Sequence, residues 1–241
     1  MTGGMAEVPI AGRRPTVWVN CAASADGRIA FARGARARLS SPEDLRRVQE
    51  LRVELDAILV GVGTVVLDDP SLRVHWELLG RAPGREPTRV VVDGSGRTPP
   101  HARVLDGSAP TIVVTTTRNR RAYPAHVRVV PAGDVRVEVR KAFQQLGALG
   151  IRSLLVEGGA EILGSVLESG EFDRLTIYYA PWVIGSETAP PIAAGPAAPS
   201  FDVAVRLELE RLERLGEGYV ASYRPVRRPP TGGDGARPAQ P

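Results

Sequence analysis

Short apolar runs bounded by glycine, proline or carboxylates recur along the chain, and such runs predict buried strands. They fall at 16–23, 56–64, 89–93, 111–115 and 127–130, at the start of the stretch 154–163, and at 175–181. Segments with helical spacing lie between them. The first is capped by Ser40 or Ser41, has Pro42 in its first turn and carries Glu43 and Asp44 where acids complement the helix dipole. Leu45, Val48, Leu51, Arg52 and Leu55 continue it. A second helix is predicted over 135–147, and a third follows Gly159 and ends near Gly170. A short helix after Gly63 is stopped by Pro70. Residues 31–39 and 185–200 read as loops, and 75–87 as a surface excursion. Residues 203–212 and 219–223 alternate around Gly216-Glu217-Gly218, which predicts a hairpin. Strands alternating with helices early and a hairpin late indicate one α/β domain with a mixed sheet. It spans 15–224, between a flexible leader, 1–14, and a Pro- and Gly-rich disordered tail, 225–241.

The stretch 154–163 carries the strongest chemical signal. An apolar run meets Glu157, then Gly158-Gly159, then an apolar pattern of helical spacing that begins Ala160-Glu161. That reads as a strand, a tight turn and a helix start, with Glu157 at the strand end where open α/β sheets bind ligands. Free N–H groups at a helix start favour an anion, and glycines let a phosphate approach the backbone. Two other predicted strand ends also pair polar groups with glycines: Thr64 with Asp68, and Asp93 with Gly94-Ser95. In a parallel sheet these ends share one edge, suited to a dinucleotide's pyrophosphate. The spacing is not the usual dinucleotide fingerprint, because no third glycine follows Gly61-Val62-Gly63 at the required place.

Composition narrows the function. The chain has 241 residues, 43% hydrophobic and 24% charged, with a formal net charge of +4. The basic character comes from arginine, since Lys141 is the only lysine. There is no Gly-Lys-Ser/Thr motif and no basis for a protein-side lysine Schiff base. Cys21 stands alone and His75, His101 and His126 are scattered, which leaves no metal-ligand spacing. Few aromatics and no dense basic run argue against nucleic-acid binding. No apolar run is long enough to span a membrane and the N-terminus lacks a secretory core, so a cytoplasmic protein is expected.

Four motifs occur in the order found in the riboflavin-biosynthesis pyrimidine reductase family: 23–30 (Ala-Ser-Ala-Asp-Gly-Arg-Ile-Ala), Ser41-Pro42-Glu43-Asp44 with Leu51-Arg52, 62–72 with its Asp-Asp-Pro-Ser-Leu ending, and Leu155-Val156-Glu157-Gly158-Gly159. The late Tyr179-Ala180-Pro181 fits as well. The chain resembles the stand-alone form of that reductase over roughly residues 16–224. The resemblance implies a dihydrofolate-reductase-like fold, a mixed, mainly parallel sheet flanked by helices with a C-terminal β-hairpin. It also implies NADPH as reductant, a phosphorylated pyrimidine as substrate and a homodimer. The implied reaction opens a glycosylamine to an imine and adds hydride at C1 of the sugar, leaving a ribitylamino chain.

Residue by residue, the resemblance implies Glu157 and Asn20 as the catalytic pair. It implies Ala22, Thr64, Asp68, Gly94, Ser95, Arg97, Gly158, Gly159, Ala160 and Glu161 as cofactor contacts, with Arg97 either pairing the 2′-phosphate or standing as a solvated loop arginine. Arg52, Leu72, His75 and Glu157 fall at substrate-contacting positions. Plainer roles stand beside these: Arg52 as a surface charge paired with Glu43 or Glu50, Asp68 as a cap for the turn before Pro70, Asp26 as a turn-former. Two departures stand out. Relatives commonly carry arginine at the position of His75, for which Arg73 or Arg81 can substitute, and a small hydroxyl residue at the position of Glu161. Two other readings stay open: a related NADPH-dependent reductase of a pterin-like or specialised substrate, and a nucleotide-binding module without catalysis.

Overall fold

The structure, a computed structural model, describes residues 13–32, 34–35 and 37–226. Its strands are β1 (Thr16–Ser24), β2 (Ala57–Gly61), β3 (Thr88–Val92), β4 (Thr111–Thr115), β5 (Val127–Pro131), β6 (Ser153–Gly158), β7 (Arg174–Ala180), β8 (Leu207–Leu215) and β9 (Gly218–Pro225). They form one sheet in the order β5-β4-β3-β2-β6-β1-β7-β9-β8. Every pairing from β5 to β7 is parallel, and β7-β9 and β9-β8 are antiparallel. The helices are α1 (Pro42–Glu54), α2 (Val62–Asp68), α3 (Trp76–Leu79), α4 (Val139–Ala148) and α5 (Ala160–Ser169). This is the mixed, mainly parallel sheet with a C-terminal hairpin that the apolar pattern and the resemblance led us to expect.

The central strands are apolar on both faces because both faces are covered. On one, Val17, Val19, Leu59, Val90, Leu154 and Val156 pack with Phe143 and Leu146 of α4 and Leu163 and Val166 of α5. On the other, Ile58, Val60, Val91, Val113 and Leu155 pack with Val62 and Val65 of α2 and with Val104 and Leu105 of a one-turn 3-10 helix, Arg103–Leu105. The C-terminal ends of the parallel strands, including Ser24, Gly61, Val92, Gly158 and Ala180, therefore share one rim.

The elements depart from expectation in four places. Helix α4 starts at Val139, after a connection made by Glu138 N–H to Ala132 O at 2.7 Å. Strand β8 starts at Leu207 rather than 203, because 201–203 form turns. The excursion 75–87 is tied down: Trp76 is buried, and Glu86 accepts from Trp76 Nε1, Val74 N–H and Arg73 Nη2. Of the expected leader, 1–12 lie outside the described residues, and Arg14 forks onto Asp173 at 2.6 and 2.9 Å. Of the expected tail, 227–241 lie outside the described residues. Among the described residues no helix is long and apolar enough to cross a membrane.

Candidate active site

Helix α1 lies over the rim with a polar inner face. Asp44 and Gln49 are buried while Leu45 is 44% exposed, the reverse of what the Leu45-Val48-Leu51 spacing predicts. The helix begins at Ser41, whose Oγ accepts from Asp44 N–H. The polar face has a cause in the sheet below it. Val19 pairs with Val156, so the next residues, Asn20 midway along β1 and Glu157 near the end of β6, stand side by side. Glu157 alternates with Leu155 along β6, and alternate residues share a face, so both side chains point away from the α4–α5 core. An apolar helix there would leave both polar groups unpaired.

Arg52 meets Glu157 with a two-pronged contact, Nε to Oε1 at 2.9 Å and Nη2 to Oε2 at 2.7 Å. Its Nη1 donates to Arg73 O at 2.9 Å. Arg52 thus pairs across the fold and not with Glu43 or Glu50 on its own helix. Burial works to lower the Arg52 pKa, and the charge and hydrogen bonds of Glu157, with the charge of Glu86, outweigh it and raise it. Fork geometry of this kind fixes a carboxylate's orientation as well as its charge environment. One turn earlier on α1, Arg47 Nη2 donates to Asn20 Oδ1 at 2.8 Å and Nε donates to Asp44 Oδ1 at 2.9 Å. Gln49 Oε1 accepts from the His75 N–H at 2.8 Å. Arg47 and Gln49 escape the motif reading, and Asp44, inside the second motif, reads only as an acid at a helix start, because an Asp and an Arg three residues apart look like an ordinary surface pair.

Next to Glu157 the chain turns sharply. The Gly158–Gly159 peptide is cis, and Gly158 has φ +128, open to glycine but not to residues with a Cβ. A Cβ on Gly159 would lie 3.2 Å from Thr64 Oγ1, so the diglycine and Thr64 of α2 face each other. Gly159 is the N-cap of α5 and supplies no side-chain cap, which leaves the first N–H groups of α5 without one. Ala160 O accepts from Ala194 N–H at 2.9 Å. Glu161 is exposed in the first turn of α5, where a carboxylate complements the dipole. Asp68 is half-buried at the last position of α2. Ala22 is half-buried on β1 against the cluster of Leu39, Tyr178 and Val220.

A second feature of the rim lies beyond β3. Asp93 is fully buried and organises the turn that follows: its carboxylate accepts from the N–H groups of Arg97 at 2.9 Å and Thr98 at 2.8 Å, and from Thr98 Oγ1 at 2.6 Å. Burial works to raise the Asp93 carboxyl, but these bonds and the one from Tyr123 hold it below the ordinary carboxylate range. Beside this turn is an open cavity of about 380 Å³ lined by Gly94, Ser95, Thr116, Arg118, Asn119, Arg120, Arg121 and Val135. Arg121 Nη1 donates to Gly96 O at 2.7 Å, and Arg118 pairs with Asp134. Arg97 is exposed and does not line this cavity. The cationic groups around Gly94 and Ser95 come instead from the loop after β4, which no motif singled out.

Other expected residues have plainer settings. The Leu72 side chain is buried in the core beside Leu55 and Val65, and its backbone takes φ +50, unusual for a residue with a Cβ. Only its main chain is left to reach a ligand. His75 caps α3 and its ring contacts Glu77 at 3.0 Å. Asp26 is the turn-former it was read as: Ser24 Oγ, Ile184 N–H and Gly185 N–H all donate to it. Those bonds, led by Ser24, depress its pKa.

Known proteins resemble the chain closely. It is 42% identical over 214 residues to the 2,5-diamino-6-ribosylamino-4(3H)-pyrimidinone 5′-phosphate reductase of Methanothermobacter thermautotrophicus, covering 87% of this chain and 98% of that one. It is 38% identical over 220 residues to the protein of the same name from Archaeoglobus fulgidus, again covering 98% of it. Among solved structures it is similar to the diaminohydroxyphosphoribosylaminopyrimidine deaminase/5-amino-6-(5-phosphoribosylamino)uracil reductase of Thermotoga maritima, with a TM-score of 0.73 and 25% identity. That match covers 88% of this chain but 57% of the longer Thermotoga chain. Residues 15–221 match the RibD C-terminal domain. With the sheet order, the Arg52-gripped Glu157 and the diglycine turn, these likenesses establish that the chain belongs to the RibD C-terminal domain family.

Proposed function

We propose that this protein is the NADPH-dependent reductase that converts the ribosylamino group of a pyrimidine ribosyl 5′-phosphate to a ribitylamino group in riboflavin biosynthesis. The observation that carries the reading is the pairing of Arg52 with Glu157, beside Asn20 and next to the diglycine start of α5. The residues present fit a phosphorylated dinucleotide. Thr64 faces Gly159, the start of α5 carries no side-chain cap, and Arg118, Arg120 and Arg121 ring the cavity at Gly94 and Ser95. Thr64 and the diglycine would hold the pyrophosphate, and the arginine loop the 2′-phosphate of the adenosine. When bound, NADPH supplies the hydride.

The chain's own side chains supply position and electrostatics. Glu157, oriented by Arg52, accepts hydrogen bonds from the substrate's amino groups. The substrate carries its own imine nitrogen, so no lysine is required; Lys141, the only lysine, lies on α4. The proteins at 42% and 38% identity are named for the 2,5-diamino compound, which favours that pyrimidine over the deaminated one. The protein acts in the cytoplasm as a homodimer, a reading supported by exposed Leu209 and Leu212 on the edge strand β8. The deciding experiment mixes purified protein, NADPH and the 2,5-diaminopyrimidinone ribosyl phosphate and follows NADPH absorbance. Saturable consumption with formation of a ribitylamino product is expected. NADPH binding without consumption would reduce the protein to a nucleotide-binding module.

A further inference from the structure

The amide of Asn20 has a defined polarity. Its Oδ1 accepts from Arg47 Nη2, and a guanidinium has donors only, so the oxygen and not the nitrogen faces α1. Arg47 is in turn held by Asp44, with Nε at 2.9 Å and Nη2 at 2.7 Å from the same carboxylate oxygen. Asp44 is buried at the first turn of α1, where Ser41 caps it. A chain of bonds thus runs from the start of α1 to the middle of β1.

The other end of the amide is open. Asn20 is 5% exposed, yet its Nδ2 donates to no group among the described residues. Nor is Nδ2 one of the sealed, unpartnered atoms, which among the described residues are Arg28 Nε, Arg73 Nε and Tyr178 Oη. A buried side chain that serves only the core spends both ends of its amide on protein partners. Here one end is fixed and the other faces accessible space beside Glu157. Adjacent strands therefore present opposite hydrogen-bonding characters: an acceptor, Glu157, oriented by Arg52, and a donor, Asn20, oriented by Arg47.

We propose that Arg47 is a positioning residue: it fixes the amide of Asn20 so that Nδ2 is presented to the substrate as a hydrogen-bond donor. The inference rests on the reading of this rim as the reductase site. It adds Arg47, which no motif marked, and it assigns Asn20 as a donor rather than an acceptor or a base.

Three variants test it: Asn20→Asp, Arg47→Met and Arg47→Lys. Asn20→Asp keeps the contact with Arg47 but has no donor to offer, so kcat/KM should fall ~10- to 100-fold with an unchanged Kd for NADPH. Arg47→Met frees the amide to turn and should cost about tenfold, and Arg47→Lys, which restores a donor to Oδ1, should recover most of that loss. Wild-type activity in Asn20→Asp, or equal activity in Arg47→Met and Arg47→Lys, would overturn the proposal. The polarity is read separately by NMR of the ligand-free protein: the Nδ2 protons of Asn20 should exchange with water, and protected protons would overturn the assignment. If the wild-type protein consumes no NADPH with the pyrimidine ribosyl phosphate, the functional reading fails, and the NMR result still decides the orientation of the amide.

Discussion

Glu157 is 11% exposed and has Arg52 on both of its oxygens. Arg52→Met would leave a largely buried carboxylate without its counter-charge, which costs about 3 kcal/mol of stability. Urea denaturation should show that loss, and a change below ~1 kcal/mol would mean that the pair is solvated like a surface bridge. Glu157→Gln keeps the shape and removes the charge. It should lower turnover about a hundredfold while leaving NADPH affinity within about twofold, the outcome that the proposed role of the carboxylate toward the substrate requires. Unchanged turnover would remove Glu157 from the catalytic residues.

Among the elements, the turn after β3 is organised by a buried carboxylate. Asp93 is held below its ordinary range by bonds from Thr98, Arg97 and Tyr123, which outweigh the opposing effect of burial. A depressed carboxylate contributes stability that is complete above the unfolded value of about 3.9 and is lost as pH falls through the folded value. Asp93→Asn should therefore be less stable at neutral pH and lose less stability on acidification than the wild type. Equal acid sensitivity in the two proteins would show that Asp93 is not linked to folding. The loop after β4 supplies the cations beside that turn. Replacing Arg118 and Arg120 with glutamine should weaken NADPH binding about tenfold and leave NADH binding unchanged, measured by calorimetry. Parallel losses for both nucleotides would place the 2′-phosphate elsewhere.

For the whole molecule, the C-terminal hairpin leaves apolar side chains uncovered on the edge of the sheet. Leu209 and Leu212 are 52% and 60% exposed on β8, the last strand of the sheet. An uncovered edge strand with apolar side chains favours pairing with another chain. Light scattering should give twice the 25.8 kDa chain mass, and Leu209→Glu with Leu212→Glu should return the monomer. A wild-type monomer would end the homodimer reading. In the sheet, β8 and the ends of β2 and β6 proposed to hold the dinucleotide lie on opposite sides of β1, so this variant should still bind NADPH.

Much of this fold could be read along the chain. The strands β1 to β7 coincide with apolar runs, because a buried parallel strand needs apolar residues on both faces and short-range patterning records that need. The diglycine after Glu157 was equally visible, since a backbone that only glycine adopts leaves its mark in one or two letters. Helix α1 was legible as a helix but not in its orientation. Leu45 and Val48 suggest an apolar inner face, and the helix instead turns Asp44, Arg47 and Arg52 toward Asn20 of β1 and Glu157 of β6. Nothing within a helix states what lies beneath it. Glu157 is 105 residues from the guanidinium that grips it, and Asn20 is 27 residues from Arg47. Local sterics and periodicity act over a few residues, so they specify elements and turns. The match of a charge to its partner, and the direction an amide faces, arise only when distant segments meet.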